Sequence, residues 1–237
     1  MAETGIADRL ARIEERIARA CARVGRHPAE VTLVGASKQQ SLETLAAAHQ
    51  AGLKIFGENR VQEAITKARS LPSSIEWHLI GPLQTNKARV AAELFHTVHS
   101  VDRLRVAEAL AAEIGRLGKR LPCFLEINLG EEESKHGFSP VDLPAQLEPI
   151  ARLEALRVVG LMAIPPFGDT PEDSRPWFRR LRKLADEVAA TGLFDSFESR
   201  LSMGMSDDFE VAIEEGATHV RVGTALFGAR TPRPEQA

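Results

Sequence analysis

The 237-residue chain contains no tyrosine, only two cysteines, and aromatic residues at 5% of its length. Cys21 and Cys123 stand apart with no CxxC pair. That argues against a disulfide framework or a metal site and suits a reducing compartment. No apolar run approaches the ~18 residues a membrane helix needs. The opening MAETGIADRL has two acids and no apolar h-region, so no signal peptide is expected and the chain is expected in the cytoplasm. An excess of one charge is missing too. Thirty basic against 33 acidic side chains give a formal net charge of −3, which supplies no field toward nucleic acid or anionic lipid. The first predicted helix carries Arg9, Arg12, Arg16, Arg19, Arg23 and Arg26, but Glu14 and Glu15 interleave with them. Neither nucleic acid nor a membrane is therefore expected as a partner.

What is present is material for a core: 43% hydrophobic and 27% charged residues, which excludes disorder as the main state. Ile6, Leu10, Ile13, Ile17 and Val24 follow helical spacing over residues 6–26. Short β-type runs then alternate with helical ones, at 31–37, 54–57, 77–81, 97–101, 123–128, 158–164, 198–203 and 219–223. Strands apolar on both faces, each followed by a helix, form a parallel sheet covered by helices. About eight such units in this length predict a single α/β domain over residues 1–237, a (β/α)₈ TIM barrel with an extra N-terminal helix and a core at about 28–230. An open doubly wound sheet is the alternative, but the first strand leads into Ser37-Lys38-Gln39-Gln40 rather than GxGxxG. The longer loops at 130–140 and 165–176 would lie on the barrel's C-terminal face, where active sites sit. The tail at 231–237 is expected to fray.

Several residues could carry chemistry. Lys38 ends the first strand, where a desolvated amine can form an imine with a carbonyl; taken alone, it reads more readily as a solvated loop lysine. Ser202-Met203-Gly204-Met205-Ser206 follows the seventh strand, with Ser206 expected to cap a helix whose first turn holds Asp207 and Asp208. Gly223-Thr224 follows the eighth strand. Small residues and hydroxyls in these two loops match the recurrent barrel phosphate site, though they also serve plain turns. Arg221 lies inside Val220-Arg221-Val222, where a buried guanidinium needs acceptors; an internal carboxylate such as Glu126 is one choice. His78 and Asn59 are weaker candidates, open to structural readings. Lys135 reads as a loop charge or a second, weaker aldehyde site.

Taken in order, these words resemble one family, the pyridoxal 5′-phosphate homeostasis proteins, whose barrel is similar to the N-terminal domain of alanine racemase. The matching segments are Val34-Gly35-Ala36-Ser37-Lys38, Phe56-Gly57-Glu58-Asn59, Trp77-His78-Leu79-Ile80-Gly81-Pro82, Ser134-Lys135-His136-Gly137, Gly160-Leu161-Met162-Ala163-Ile164, Leu201 to Asp208, and Arg221 to Gly228. The resemblance implies that Lys38 holds pyridoxal phosphate, a form of vitamin B6, as an internal aldimine (a Schiff base). It implies that Arg221 faces the pyridine nitrogen. It implies that the phosphate is held among Ser202, Gly204, Met205, Ser206, Gly223 and Thr224, with Asn59, His78 and Met162 lining the pocket. An arginine partner leaves the pyridine nitrogen unprotonated and weakens the ring as an electron sink. Alanine racemase also uses a tyrosine from a second domain across a dimer. This chain has no tyrosine and, by expectation, no length for that domain. The resemblance therefore implies an intracellular cofactor-binding monomer that buffers or delivers pyridoxal phosphate, with apo enzymes of that cofactor as partners and without efficient catalysis. The alternatives are a racemase or related enzyme of the same cofactor, and a Schiff-base aldolase or phosphosugar enzyme sharing the barrel.

Overall fold

Leu10, Ile13, Ile17, Ala20 and Cys21 fall on one stripe of helix α1 (Ile6–Arg23) and are buried. The helix ends at Arg23, three residues earlier than its apolar spacing suggests. Gly25 takes φ +69°, and the amides of Gly25 and Arg26 turn back to Ala22 and Cys21. That is a Schellman closure, which glycine permits at little steric cost. The computed structural model describes residues 5–132, 135–166 and 168–228.

After α1 the chain alternates strand and helix. The order is β1 (Thr32–Ala36), α2 (Leu42–Gln50), β2 (Ile55–Glu58), α3 (Val61–Ser70), β3 (Glu76–Leu79), α4 (Ala88–Leu94), β4 (Thr97–Val101) and α5 (Leu104–Arg116). It continues with β5 (Leu121–Ile127), α6 (Leu143–Ala151), β6 (Leu156–Ala163), α7 (Arg175–Ala190), β7 (Arg200–Ser202), α8 (Phe209–Glu214), β8 (His219–Val222) and α9 (Thr224–Phe227). Every strand pairs in parallel with the next, and β8 closes on β1 with Val34 beside Arg221. The expected (β/α)₈ barrel with its extra N-terminal helix is what forms. Helix α1 packs across α8, α9 and α2 on the outside.

Two glycines fix which way β1 and β2 face. A Cβ on Gly57 would lie 2.9 Å from Val34 and 2.8 Å from Ile80, inside the barrel. A Cβ on Gly35 would lie 2.6 Å from Leu53, under the outer helices. Strand alternation then turns Val34 and Ala36 inward, with Lys38 two residues beyond.

Most strand ends fall within one or two residues of the expected runs, and two starts have a single local cause. Strand β7 starts at Arg200 because Ser199 takes φ +50°, a left-handed conformation that breaks the extended run. Helix α8 starts at Phe209 with Asp208 before it, so Ser206 does not cap it. The Asp208 carboxylate instead accepts from Met205 N–H at 2.7 Å and from the Ser174 hydroxyl at 2.8 Å, which draws the turn toward the β6–α7 loop. Ser134 and the tail at 231–237 lie outside the described residues.

Candidate functional site

Arg221 is the inward charge of β8 and is buried. Its Nη1 donates to the carbonyl oxygen of Ser202 at 2.7 Å and to Ser202 Oγ at 2.6 Å, and its Nη2 donates to the Ala163 carbonyl at 3.0 Å. The acceptors it needed are thus supplied by the ends of β6 and β7, with no hydrogen bond to Glu126. Its own amide donates to the Gly204 carbonyl at 3.0 Å. Burial lowers its pKa to about 10, against the raising influence of Glu126 and Asp208.

From Ser202 the hydrogen bonding continues across the lumen. Ser202 Oγ lies 2.7 Å from His99 Nδ1, and His99 Nε2 lies 3.0 Å from His78 Nδ1. Phe124 stacks on His99 at 4.6 Å between ring centroids, and His219 meets both rings edge-on at 5.6 and 5.0 Å. Burial, followed by the charges of His219 and His96, takes His78 down to about 3. Burial first and Arg200 second do the same for His219, also to about 3. His99 is held well below the ordinary histidine range, again chiefly by burial. All three rings are neutral at physiological pH.

The loops after β7 and β8 meet through Ser206, whose Oγ accepts from the amides of Gly223 at 3.2 Å and Ala225 at 3.3 Å. Gly204 permits the turn between them. It takes φ +89°, and a Cβ there would approach Ala212 Cβ to 2.5 Å. Thr224 is exposed at the start of α9.

Lys38 follows β1 and is half-buried. The peptide leading into it is anchored from behind. Lys67 of α3 donates to the Ser37 carbonyl at 2.8 Å and to Glu58 Oε1 at 2.5 Å, and the Ser37 hydroxyl donates to the same Glu58 oxygen at 2.5 Å. Glu58 is fully buried with Oε2 unpartnered, and burial raises its pKa in spite of Lys67 beside it.

On the opposite wall stands Glu126 of β5, paired in register with Met162. Its Oε2 is sealed without a partner, and burial, then Asp102, raise its pKa to about 7 against the pull of Arg221. Asp102 is itself buried. Its Oδ2 is held by Arg103 at 2.5 Å and His136 at 3.3 Å.

The predicted residues therefore divide. His78, Ser202, Gly204 and Arg221 are joined by hydrogen bonds in one row, Met162 lies in register with Ser202, and Ser206 ties to Gly223. Asn59 and Met205 face two clefts instead. Asn59 lines one of about 600 Å³ with Arg60, Lys87, Arg103 and His136; Met205 lines one of about 190 Å³ with Pro165, Ser174 and Asp208. Sequence reasoning missed His99, His219, Phe124 and the Glu58–Lys67 pair. The two histidines did carry a signal, since each sits inside an apolar strand run as His78 does. Lys67 carried none beyond its spacing from Glu63. Among the described residues no group of three or more side chains could hold a metal ion, and no helix is long and apolar enough to cross a membrane.

Comparison with known proteins identifies the family and the fold. The family model described as the alanine racemase N-terminal domain matches residues 9–231. The pyridoxal phosphate homeostasis protein of Aquifex aeolicus strain VF5 is 44% identical over 224 residues, covering 94% of this chain and 97% of that one. The protein of the same name from Pseudomonas aeruginosa is 46% identical over 226 residues, covering 95% and 96%. The solved structure of PipY from Synechococcus elongatus PCC7942 with pyridoxal phosphate bound superposes with a TM-score of 0.81 at 39% identity, over 94% of this chain and all of that one. The chain belongs to the alanine racemase N-terminal domain family and, within it, to the pyridoxal phosphate homeostasis proteins.

Proposed function

We propose that this protein binds pyridoxal 5′-phosphate at the C-terminal mouth of the barrel and serves its homeostasis, with Lys38 carrying the cofactor as a Schiff base. The observation that carries the reading is the chemistry of the donor set. A primary amine lies two residues beyond β1, a donor-only guanidinium is buried in the adjacent β8, and small and hydroxyl-bearing loops follow β7 and β8. These fit, respectively, an aldehyde, an unprotonated pyridine nitrogen and a phosphate.

When bound, pyridoxal phosphate supplies an aldehyde that combines reversibly with amines and a ring that can withdraw electrons. The protein's residues divide the work of holding it. Lys38 offers the amine on a peptide anchored by Lys67. Arg221 presents donors and no acceptor to the ring nitrogen, which keeps that nitrogen unprotonated. Ser202, Gly204, Ser206, Gly223 and Thr224 would hold the phosphate and His78 and Met162 would line the pocket, with Asn59 and Met205 reaching it only from the clefts they line beside the mouth. The neutral lumen histidines supply no acid near pH 7. The site is therefore built to hold the cofactor rather than to process amino acids. The protein acts as a monomeric, single-domain cytoplasmic reservoir that hands the cofactor to apo enzymes.

Borohydride reduction of the yellow complex tests this directly. A stable pyridoxyl label on Lys38, located by mass spectrometry and lost in Lys38→Ala, is the expected result. An unlabelled Lys38 in a protein that still binds the cofactor would refute the linkage.

One observation favours a second reading, an enzyme of the same cofactor. Glu126 is a carboxyl whose pKa of about 7 suits proton exchange near neutrality. Turnover of single-enantiomer amino acids at ordinary enzymatic rates, abolished in Glu126→Gln, would establish it.

A further inference from the structure

Arg221, Ser202, His99 and His78 form one buried row, joined at 2.6, 2.7 and 3.0 Å. The direction of every hydrogen in it follows from its first member. A guanidinium has donors only, so Ser202 Oγ accepts from Arg221. The serine hydroxyl has a single hydrogen and is fully buried. Among the described residues its other side-chain partner is His99 Nδ1, so the hydrogen goes there. The neutral His99 ring then carries its own hydrogen on Nε2 and donates to His78 Nδ1. That leaves the His78 hydrogen on Nε2, which has no hydrogen-bond partner among the described residues and is not fully sealed from solvent. The reverse polarity would point two donors at Ser202 and strand its hydroxyl hydrogen. Leaving a buried donor unsatisfied disfavours that arrangement by about 5- to 150-fold in population.

We propose that Ser202 and His99 are positioning residues that relay the polarity of Arg221 to His78 and lock both imidazoles in the Nε2–H tautomer, so that His78 meets a bound ligand as a hydrogen-bond donor and not as a base. The ligand clause rests on the cofactor reading of the mouth; the tautomers do not. Neither a metal nor a charge on the rings is needed. Phe124 and His219 pack against His99 and hold its plane, while the hydrogen bonds fix which nitrogen bears the hydrogen.

Long-range proton–nitrogen correlation spectra of the ligand-free protein, labelled with ¹⁵N-histidine and assigned with single His→Gln variants, test the relay. Both His99 and His78 are expected to show a bare Nδ1 and a hydrogen-bearing Nε2. A hydrogen on Nδ1 of either ring, or two protonated nitrogens at neutral pH, overturns the proposal. Ser202→Ala should let the His99 tautomers mix, losing most of the ~5- to 150-fold preference, while Ser202→Thr keeps the hydroxyl and the wild-type pattern. An unchanged His99 in Ser202→Ala overturns the relay, and if that variant fails to fold, the wild-type and threonine spectra decide alone. Adding pyridoxal phosphate should shift the His78 Nε2 resonance and leave it protonated; loss of that hydrogen overturns the donor role. Absence of any cofactor absorbance change would strike the cofactor reading and the ligand clause with it, while the ligand-free tautomers still decide the relay.

Discussion

Lys67→Met is the sharpest perturbation the structure offers. The Lys67 side chain is 9% exposed, and its ammonium lies 2.5 Å from a fully buried Glu58, with Glu63 behind it at 3.9 Å. Removing it leaves Glu58 with one hydrogen bond, from Ser37, and an oxygen that already has no partner. Breaking a buried pair from one side costs about 3–5 kcal/mol, because a charge is left uncompensated or must take up a proton. For a domain of ordinary stability, ~5–15 kcal/mol, that is a large fraction. Glu58→Gln should cost less, about 1–3 kcal/mol, because Lys67 keeps the Ser37 carbonyl and has Glu63 within reach. The double variant removes both charges and should cost less than the two singles together by at least ~1 kcal/mol. Urea titrations of the four proteins measure this cycle. Lys67 also anchors the peptide entering Lys38, so the affinity of Lys67→Met for pyridoxal phosphate should fall as well. Single-variant costs below ~1 kcal/mol, or costs that simply add, would refute the account of a coupled buried anchor.

The remaining predictions concern titration and backbone shape. The folded pKa values of His78 and His219 are depressed from 6.5 to about 3, so their contribution is present above pH 6.5 and is lost as pH falls; each should forfeit about 2 kcal/mol by pH 5, which urea midpoints at pH 7 and pH 5 will read. Glu126 has the opposite sign: its folded pKa is raised from 4.5 to about 7, so its contribution is complete below pH 4.5 and disappears by pH 7, about 3 kcal/mol in all. Glu126→Gln should flatten that part of the stability profile, and an unchanged pH dependence would show that Glu126 ionises normally. Gly204→Ala should destabilise by more than ~1 kcal/mol and weaken cofactor binding, since it strains a φ of +89° and drives a Cβ to 2.5 Å from Ala212; equilibrium dialysis with pyridoxal phosphate and thermal melting check both. Gly160→Ala is harsher, with a Cβ 1.9 Å from the Arg200 carbonyl, and should abolish soluble expression or force β6 and β7 apart.

The barrel was legible because the physics that makes it is local. Strands covered on both faces must be apolar throughout, and the turns between them need glycine or polar residues, so β1, β4 and β8 announced themselves. Arg221 was legible for the same reason, as a charge inside a valine run. The boundaries that failed did so through single dihedrals and single hydrogen bonds. Ser199 turns left-handed before β7, and Asp208 is bound by Ser174 from a loop more than thirty residues earlier. Of the site, the residues with unusual chemistry for their position could be named. Their partners could not be, because His78, His99 and Ser202 come from β3, β4 and β7 and meet only when the barrel closes. The Glu58–Lys67 anchor was invisible, since a lysine on a helix is ordinarily solvated.

The buried row and the acid sensitivity of the fold are two consequences of the same chemistry. A neutral His99 can accept the Ser202 hydrogen; a protonated one has donors on both nitrogens and cannot. Protonation would therefore set Ser202 Oγ against two donors and leave its own hydroxyl hydrogen without His99 as acceptor. Arg221 would keep its bonds to the Ser202 and Ala163 carbonyls, so the guanidinium stays in place while its serine partner loses direction. Burial holds His99 neutral far below its ordinary range, so this protonation accompanies unfolding and does not precede it. On lowering pH, release of pyridoxal phosphate, followed by its absorbance, should therefore coincide with loss of helical circular dichroism. Release well ahead of unfolding in the wild-type protein would mean that the row takes up a proton while folded and that burial does not hold His99 neutral.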